Sequence, residues 1–463
     1  MLLGSRGKPS RFHMIRFLFQ RNLSPTRVVI LGFLALILLG AALLMLPCAT
    51  RPGQETSWLC ALFTSTSATC VTGLVVVDTY THWSPFGQAV ILVLIQCGGI
   101  GFMSLAAIFS FLLRRTITLR ERLIMTQSMN INDLAGVVRL TRHVLVGTFF
   151  CEFFGAVILS IRFSGEFGWR GGIIKGVFHA VSAFCNAGFD LMGERETFSS
   201  LTEYAGDPIV NITIMALIVI GGLGFFVWED MYHKRRFHEY TLHTKLVLTI
   251  TAVLLIGGSA LFFFFEYANP QTLGALPPHA KVFGAMFQAT TTRTAGFNTI
   301  DQTALTLPSK MLSMLLMFIG GSSGSTAGGI KTVTFGILVL TAVSVLRGKS
   351  EVTAFGRKIN PRAILNALAL AMTGLALILI STLVITLIQP LDVVDVMYET
   401  VSAIATVGLA TGATAMFCPA ALGIMIALMF FGRVGILTIS LGLLMRGHTK
   451  SKIRFPEGKV LIG

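Results

Sequence analysis

Runs of about 20 or more apolar residues recur along the chain, and each is long enough to cross a hydrocarbon core of about 30 Å. Only 12% of the residues are charged and 54% are hydrophobic, a balance that is not typical of a soluble protein. The sequence therefore predicts an all-α polytopic membrane protein with eight spans. The apolar runs lie at 28–47, 86–113, 143–161, 208–228, 246–265, 311–345 with interruptions, 363–388 and 419–445.

Shorter helical segments lie between these spans. They have about 10–14 residues, which is too short to cross the membrane and is typical of re-entrant segments. The repeating unit is therefore predicted to be a span, a short pore helix with a loop, and a second span. The short segments are 58–69, 173–184, 280–292 and 396–405.

Basic residues are concentrated in five segments outside the spans. Most of the 36 lysines and arginines fall before residue 28, in 114–142, 234–245 and 347–362, and from residue 446 onward. The positive-inside rule makes these segments cytoplasmic, so both termini of a multi-pass protein of the plasma (inner) membrane are predicted to lie inside. Such segments favour contact with membrane lipid, and a docking surface for a cytosolic partner is the alternative. No nucleic-acid partner is predicted.

A motif centred on one glycine occurs four times. The copies are TCVTGLVVVDT, FCNAGFDL, TRTAGFNTID and IATVGLATG, with Gly73, Gly188, Gly296 and Gly408 in register. These glycines lie 108 to 115 residues apart, and a second glycine cluster follows each of them after 24 to 33 residues. Two markers in register over four copies predict tandem repeats. Because each repeat holds two spans, all four copies have the same orientation and can surround a pseudo-fourfold pore.

The predicted repeats divide the chain at its basic segments. Repeat 1 covers 28–115, repeat 2 covers 142–232, repeat 3 covers 244–346 and repeat 4 covers 363–446. A basic N-terminus at 1–27 and a C-terminal tail at 447–463 flank them, and both are predicted to be cytoplasmic.

The glycine loops have the properties of an ion filter. Irregular backbone at membrane depth is tolerated only where it is buried in protein or lines a water-filled cavity. Rings of carbonyl oxygens suit a dehydrated monovalent cation, and glycine permits φ > 0 while leaving the axis free of side chains. The partially negative C-terminal end of each short helix favours a cation at the same place. Asp78, Asp190 and Asp301 follow their loops and are predicted to concentrate cations at the outer mouth.

The third repeat contains a span that small and polar residues interrupt. The stretch GGSSGSTAGGIKT cannot form a stable helix in lipid, which predicts a flexible gating loop across the pore below the filter. An extramembrane connection is the alternative. The predicted gating residues are Gly320, Gly321, Ser322, Ser323, Gly324, Ser325, Thr326, Ala327, Gly328, Gly329 and Lys331, within an intramembrane loop at 320–331.

Two arginines are placed where a charge is costly. Arg433 lies inside the apolar run 419–445 and should face the protein interior, where it is predicted to contact the gating loop and to take part in gating. Arg293 precedes the third filter loop by one residue. It is predicted to point behind the filter and to pair with Glu399 as structural support.

Taken together, several motifs resemble the Trk/Ktr/HKT superfamily of potassium transporters, over nearly the whole chain. They are the loops VTGL, NAGF, TAGF and TVGL, the span GGSSGSTAGGIK, the arginine of GRVG and the tail FPEGKVLIG. The short segment before the first span is more similar to the bacterial KtrB/KtrD-type membrane subunit than to the larger TrkH type.

The resemblance implies a function, partners and an ion site. It implies potassium uptake by a homodimer with one pore per subunit, gated by a cytosolic RCK-type ring, so that a nucleotide acts only through that partner. Gly73 favours potassium, because a serine at the first filter glycine goes with sodium transport in related plant proteins; sodium dependence stays open. The implied K+ ligands are backbone groups of Val71, Thr72, Gly73, Asn186, Ala187, Gly188, Thr294, Ala295, Gly296, Thr406, Val407 and Gly408.

Two other classes of function compete with this interpretation. An alternating-access, cation-coupled carrier of a small solute would be expected to have inverted repeats and charged side chains at the membrane midplane, and the sequence shows neither. A membrane enzyme would need a constellation of catalytic side chains. His179 and Glu152 stand alone and are interpreted as satisfied buried polar residues, so no catalytic residue is predicted.

Overall fold

A computed structural model of the protein describes residues 25–101, 123 and 136–435. Within these ranges the chain is mostly helical, as the sequence predicts, and its strands form one short hairpin of Thr353–Ala354 and Arg357–Lys358. The predicted tail at 447–463 lies outside the described residues, as do residues 1–24 of the predicted N-terminus.

In the first half of the described chain, long helices alternate with short ones. Ser57, Ser84 and Asp207 begin three of these helices by accepting hydrogen bonds from first-turn N–H groups. The helices are α1 (Pro25–Leu44), α2 (Trp58–Cys70), α3 (Thr79–His82), α4 (Pro85–Ile100), α5 (Val137–Phe184), α6 (Pro208–Leu223) and α7 (Phe225–His233), with 3-10 turns at Pro47–Ala49 and Thr202–Tyr204.

The second half has the same succession of a long helix, a short helix, a glycine loop and a further helix. Asn360 and Asp392 cap two of these helices in the same way. The helices are α8 (Leu242–Glu266), α9 (Pro278–Thr291), α10 (Leu307–Phe318), α11 (Thr332–Leu346), α12 (Pro361–Ile388), α13 (Val393–Ala405), α14 (Ala413–Met416) and α15 (Pro419–Val434), with a 3-10 turn at Phe237–Glu239.

Helix α5 combines two predicted elements. The span at 143–161 and the short helix at 173–184 form one run of 48 helical residues, interrupted at Gly168, whose φ of 70° and ψ of 168° are not helical. The chain reverses direction at Gly168. The reversal brings Gly172 close to Ser164 and Gly176 close to Ser160, where an added Cβ would collide with them. Glycine therefore provides both the reversal and the close contact between the two arms.

Helices long and apolar enough to cross a membrane number four among the described residues. They are Thr26–Leu44, Val137–Phe184, Leu242–Glu266 and Pro361–Ile388, and the pair Pro208–Leu223 and Phe225–His233, bent by 90°, makes a fifth if it is one span. Four or five of the eight predicted spans are therefore recognised among the described residues, and the predicted runs 86–113 and 419–445 lie partly outside them. The second helices of three repeats end before Gly101, Gly224 and Gly435, whose φ values of 91°, 97° and 92° are not helical.

Burial is distributed as expected for a protein that is surrounded by lipid. Every residue of α2 from Phe63 to Cys70 is buried, although many of these side chains are polar. Large apolar side chains on the long helices are exposed instead, among them Phe153, Ile256 and Leu387. Exposed apolar side chains and buried hydroxyl groups are the distribution expected for a protein whose surface contacts the hydrocarbon of a membrane. The buried short helices and their loops therefore lie at the centre of the protein.

Candidate functional site

The four glycine loops have the same backbone conformation. In each loop the residue two before the glycine is left-handed, a conformation that is uncommon for side chains with a Cβ. The φ values are 56° at Val71, 59° at Asn186, 67° at Thr294 and 50° at Thr406. The glycines also have positive φ, of 91° at Gly73, 72° at Gly188, 83° at Gly296 and 94° at Gly408. The sequence register of the four motifs is therefore also a register of backbone geometry.

The loops contact one another in a closed ring. A Cβ added to any of the four glycines would collide with the carbonyl oxygen of the residue before the next loop's glycine. These contacts run from Gly73 to Ala187, from Gly188 to Ala295, from Gly296 to Val407 and from Gly408 back to Thr72. The structure thus brings together all four predicted filter loops, with carbonyl groups at each junction.

A cavity of about 760 Å³ lies on the side of the ring that the chain reaches after each glycine. All four glycines line it, and so do Asp78, Asp190 and Asp301. Asp78 is mostly engaged in structure, since Oδ1 accepts from the N–H groups of Tyr80 and Thr81 and Oδ2 accepts from the Phe198 N–H. The cavity is open to a hydrated ion and has carboxylates in its wall.

The short helices end close to the ring. Helices α2, α5, α9 and α13 stop three to five residues before their glycines. The helix dipole gives the C-terminal end of each helix, and so this region, a partial negative charge. A cation at the ring is therefore favoured by helix ends as well as by loop carbonyls.

The predicted gating loop connects α10 and α11 without helical structure and packs against repeat 2. The Ser322 N–H donates to the Gly222 carbonyl at 3.0 Å, and the Phe225 N–H donates to the Gly324 carbonyl at 2.8 Å. Thr326 Oγ1 also lies 3.2 Å from Asn186 Oδ1, which belongs to the second filter loop. The loop thus lies directly beside the filter, on the side from which the short helices approach.

The far end of the gating loop touches the fourth filter loop. A Cβ added at Gly328 would collide with Thr406 Oγ1, and one at Gly329 would lie 3.1 Å from the Ala405 carbonyl oxygen. A second cavity of about 240 Å³ is lined by gating-loop residues, including Lys331, together with Arg433. The loop therefore separates this cavity from the ring.

Arg433 makes the predicted contact with the gating loop. Its Nη1 donates to the Thr326 carbonyl, and its Nη2 donates to the carbonyls of Gly98 at 2.5 Å and Gly99 at 3.0 Å. The guanidinium of repeat 4 therefore joins the loop of repeat 3 to the end of α4 in repeat 1. A planar fork of several donors is suited to such a bridge.

The predicted ion pair between Arg293 and Glu399 is wrong. Arg293 Nη2 donates to the Gly320 carbonyl at 3.3 Å and to Thr332 Oγ1 at 3.0 Å, at the two ends of the gating loop. Glu399 accepts hydrogen bonds from the segment after the fourth filter loop instead, from the N–H groups of Thr411 at 3.1 Å and Thr414 at 3.2 Å and from the Thr414 hydroxyl. Each side chain therefore has other polar partners, although Arg293 Nη1 is buried without a hydrogen-bond partner among the described residues.

These separate partners predict additive effects. Arg293→Gln and Glu399→Gln, combined in one protein, should change the free energy of unfolding by the sum of the single changes, within about 0.5 kcal/mol. Arg293→Gln with Thr332→Val is the matched control and should not be additive, because those side chains are bonded directly. Thermal unfolding of the three single variants, the two double variants and the parent protein checks this, and strong coupling of Arg293 to Glu399 would support the ion pair after all.

The two buried polar residues considered for an enzyme are satisfied, as predicted. The His179 Nδ1–H donates to the Lys175 carbonyl at 2.7 Å, and its Nε2 accepts from the Leu191 N–H at 3.4 Å. Glu152 Oε2 accepts from Gln96 Nε2 at 3.0 Å, so this carboxyl joins repeat 2 to repeat 1. Gln96 was missed, since a single glutamine in an apolar run gives no sign of its partner.

The glycines that end the second helices have a structural role that the sequence analysis did not assign. Among the described residues, nothing lies within 4 Å of a Cβ added at Gly101, the last glycine of GGIG. Gly98 does pack, against the Thr69 carbonyl. The recurrence of the final glycine in GGIG, GGLG and GRVG was the sequence signal that a helix ends at this position.

Comparison with known proteins agrees with these features. The family model for TrkH, described as a cation transport protein, matches residues 20–447. The Ktr system potassium uptake protein B of Bacillus subtilis is 41% identical over 440 residues, covering 95% of this chain and 97% of the relative. The potassium/sodium uptake protein NtpJ of Enterococcus hirae is 38% identical over 449 residues, covering 96% and 98%.

A solved structure shows the same fold. The potassium transporter TrkH from Vibrio parahaemolyticus matches with a TM-score of 0.70 at 18% identity, covering 92% of this chain and 86% of that one. The family match and the two close relatives confirm the resemblance that the loop motifs carry. The chain belongs to the TrkH family of cation transport proteins, which includes the Ktr and Trk potassium transporters.

Proposed function

We propose that this membrane protein takes up potassium through a channel-like pore, whose filter is the ring of four glycine loops. The observation that carries the proposal is the closed ring of glycine-to-carbonyl contacts, since four loops in one conformation, each in contact with the next, would surround a single axis. As a member of a transport family, the chain is a transporter and not an enzyme. The pseudo-fourfold arrangement would then have eight spans, two in each repeat.

The filter chemistry favours a weakly hydrated cation. Backbone carbonyls can replace the hydration shell of potassium without a full negative charge that would trap it. The twelve predicted filter residues, from Val71 to Gly408, would supply these groups, and the outer cavity would hold the hydrated ion. Sodium is the second ion to consider, because one relative is named for potassium and sodium uptake.

The gating loop would control access from the other side. It lies between the filter loops and the smaller cavity, and Arg433 holds it to repeat 1. Two relatives are named as components of a Ktr system, which supports a regulatory partner for this chain. We propose a homodimer in the plasma membrane with both termini cytoplasmic, gated by an RCK-type ring that binds the nucleotide.

Flux through the purified chain tests the proposal. Liposomes that contain the protein should take up potassium and rubidium faster than sodium, and empty liposomes should take up none of them. Gly296→Ser should lower potassium flux and its preference over sodium, because the added side chain enters the ring. Absence of cation flux, even with residues 320–331 deleted, would instead support the carrier.

A further inference from the structure

Hydroxyl groups on two of the short helices accept a hydrogen bond from a filter glycine. Ser67 Oγ on α2 accepts from the Gly73 N–H at 3.1 Å, and Ser402 Oγ on α13 accepts from the Gly408 N–H at 3.0 Å. Both serines are fully buried. These two loops are thereby fixed at the peptide that enters the glycine.

The other two short helices hold their loops by donating a hydrogen bond. Ser182 Oγ on α5 donates to the Phe189 carbonyl at 2.7 Å, and Thr291 Oγ1 on α9 donates to the Phe297 carbonyl at 2.5 Å. Both side chains are fully buried, and both phenylalanines directly follow a filter glycine. These carbonyls point toward the short helices, so the loops are fixed at the peptide that follows the phenylalanine.

We propose that these four hydroxyl groups, the filter frame (Ser67, Ser182, Thr291 and Ser402), are positioning residues that set the width of the filter and with it the selectivity for potassium. The inference rests on the proposed function. None of the four needs to touch the ion, because each bonds backbone from the helix side of the loop. A carbonyl ring discriminates between cations only while its size and field are maintained, and the frame fixes one peptide in every loop.

Two adjacent threonines of α9 provide a matched test. Thr290 Oγ1 donates to the Met286 carbonyl within its own helix at 2.8 Å, whereas Thr291 reaches the filter loop. Valine has the shape of threonine and lacks the hydroxyl. Thr291→Val should lower the potassium-to-sodium flux ratio roughly fivefold, as expected for the loss of one net hydrogen bond. Thr290→Val should keep the flux ratio of the parent protein. Thr291→Ser, which retains the hydroxyl group, should keep it as well.

A second pair on α2 repeats the comparison in another loop. Thr66 Oγ1 donates to the Leu62 carbonyl at 2.7 Å in its own helix, so Thr66→Val is the control for Ser67→Ala. This pair decides the question if Thr291→Val does not fold, as judged by size-exclusion chromatography. A parental flux ratio in folded Thr291→Val, or in Ser67→Ala when that pair decides, would overturn the filter frame and leave the filter itself intact. A parent protein without preference for potassium would overturn both.

Discussion

Gly408→Ala is expected to reduce potassium flux about a hundredfold while the protein still folds. The added Cβ would collide with the Thr72 carbonyl oxygen and lie 2.9 Å from the Gly73 Cα, and both are backbone atoms of the neighbouring loop. Backbone in a closed ring cannot rotate away as a flexible side chain can. Alanine also has to adopt a φ near 94°, which costs about 1–2 kcal/mol by itself. Flux into liposomes measures the effect.

Gly53→Ala separates backbone strain from crowding of the ring. Gly53 has a φ of 84°, similar to that of Gly408, but nothing lies within 4 Å of a Cβ added there. Its substitution by alanine should lower the free energy of unfolding through a similar backbone strain and leave potassium flux unchanged. If both variants reduced flux equally, strain alone would be the cause, and the inter-loop contacts would not define a filter. Parental flux in folded Gly408→Ala would also contradict the ring.

The positions of the glycine loops were predictable because their requirement is local. Left-handed backbone and close approach both select glycine, so Gly73 and Gly408 mark their loops in the sequence without knowledge of the neighbours. The short helices were predictable for a related reason, since their length excludes a span. Trp58–Cys70 and Val393–Ala405 lie within three residues of the bounds expected from the apolar pattern.

The lengths of the described helices were not predictable from hydropathy. An apolar run records composition, whereas a helix also needs helical φ and ψ at every residue. Runs such as 208–228 remain apolar across Gly224, where the backbone turns by 90°. The pattern of spaced glycines carried this information, but a packing glycine and a breaking glycine have the same letter in the sequence.

The partners of the buried charges were the least predictable part of the site. Arg293 and Glu399 are opposite charges in neighbouring repeats, which made a pair plausible. In the structure each is surrounded by hydroxyl and backbone groups that are closer, at Thr332 and Thr414 for example. The contact of Arg433 was easier to predict, because a charge inside the apolar run 419–445 has to find polar partners within the protein.

Arg433→Ala is expected to raise potassium flux through the isolated chain about tenfold or more. The guanidinium holds the Thr326 carbonyl of the gating loop to the Gly98 and Gly99 carbonyls of α4, so its loss frees one side of the loop. Hydrogen bonds to a charged group contribute about 1.5–3 kcal/mol, against about 0.5–1.5 kcal/mol for the backbone bonds that remain to repeat 2. Since about 1.4 kcal/mol is tenfold in an equilibrium constant, losing even one such bond shifts the gate measurably.

Arg433→Lys separates the effect of the hydrogen bonds that Arg433 makes to two repeats from the effect of its positive charge. Lysine keeps the positive charge but lacks the planar fork that reaches Thr326 and Gly98 together, so flux should rise in this variant too, though less than in Arg433→Ala. Arg357→Gln removes a charge from the exposed hairpin and should leave flux unchanged. Flux in the lysine variant equal to the parent would show that charge alone holds the loop. Reduced flux in a folded Arg433→Ala would mean that the arginine stabilises the open state, because a residue that holds a gate closed cannot slow conduction when it is removed.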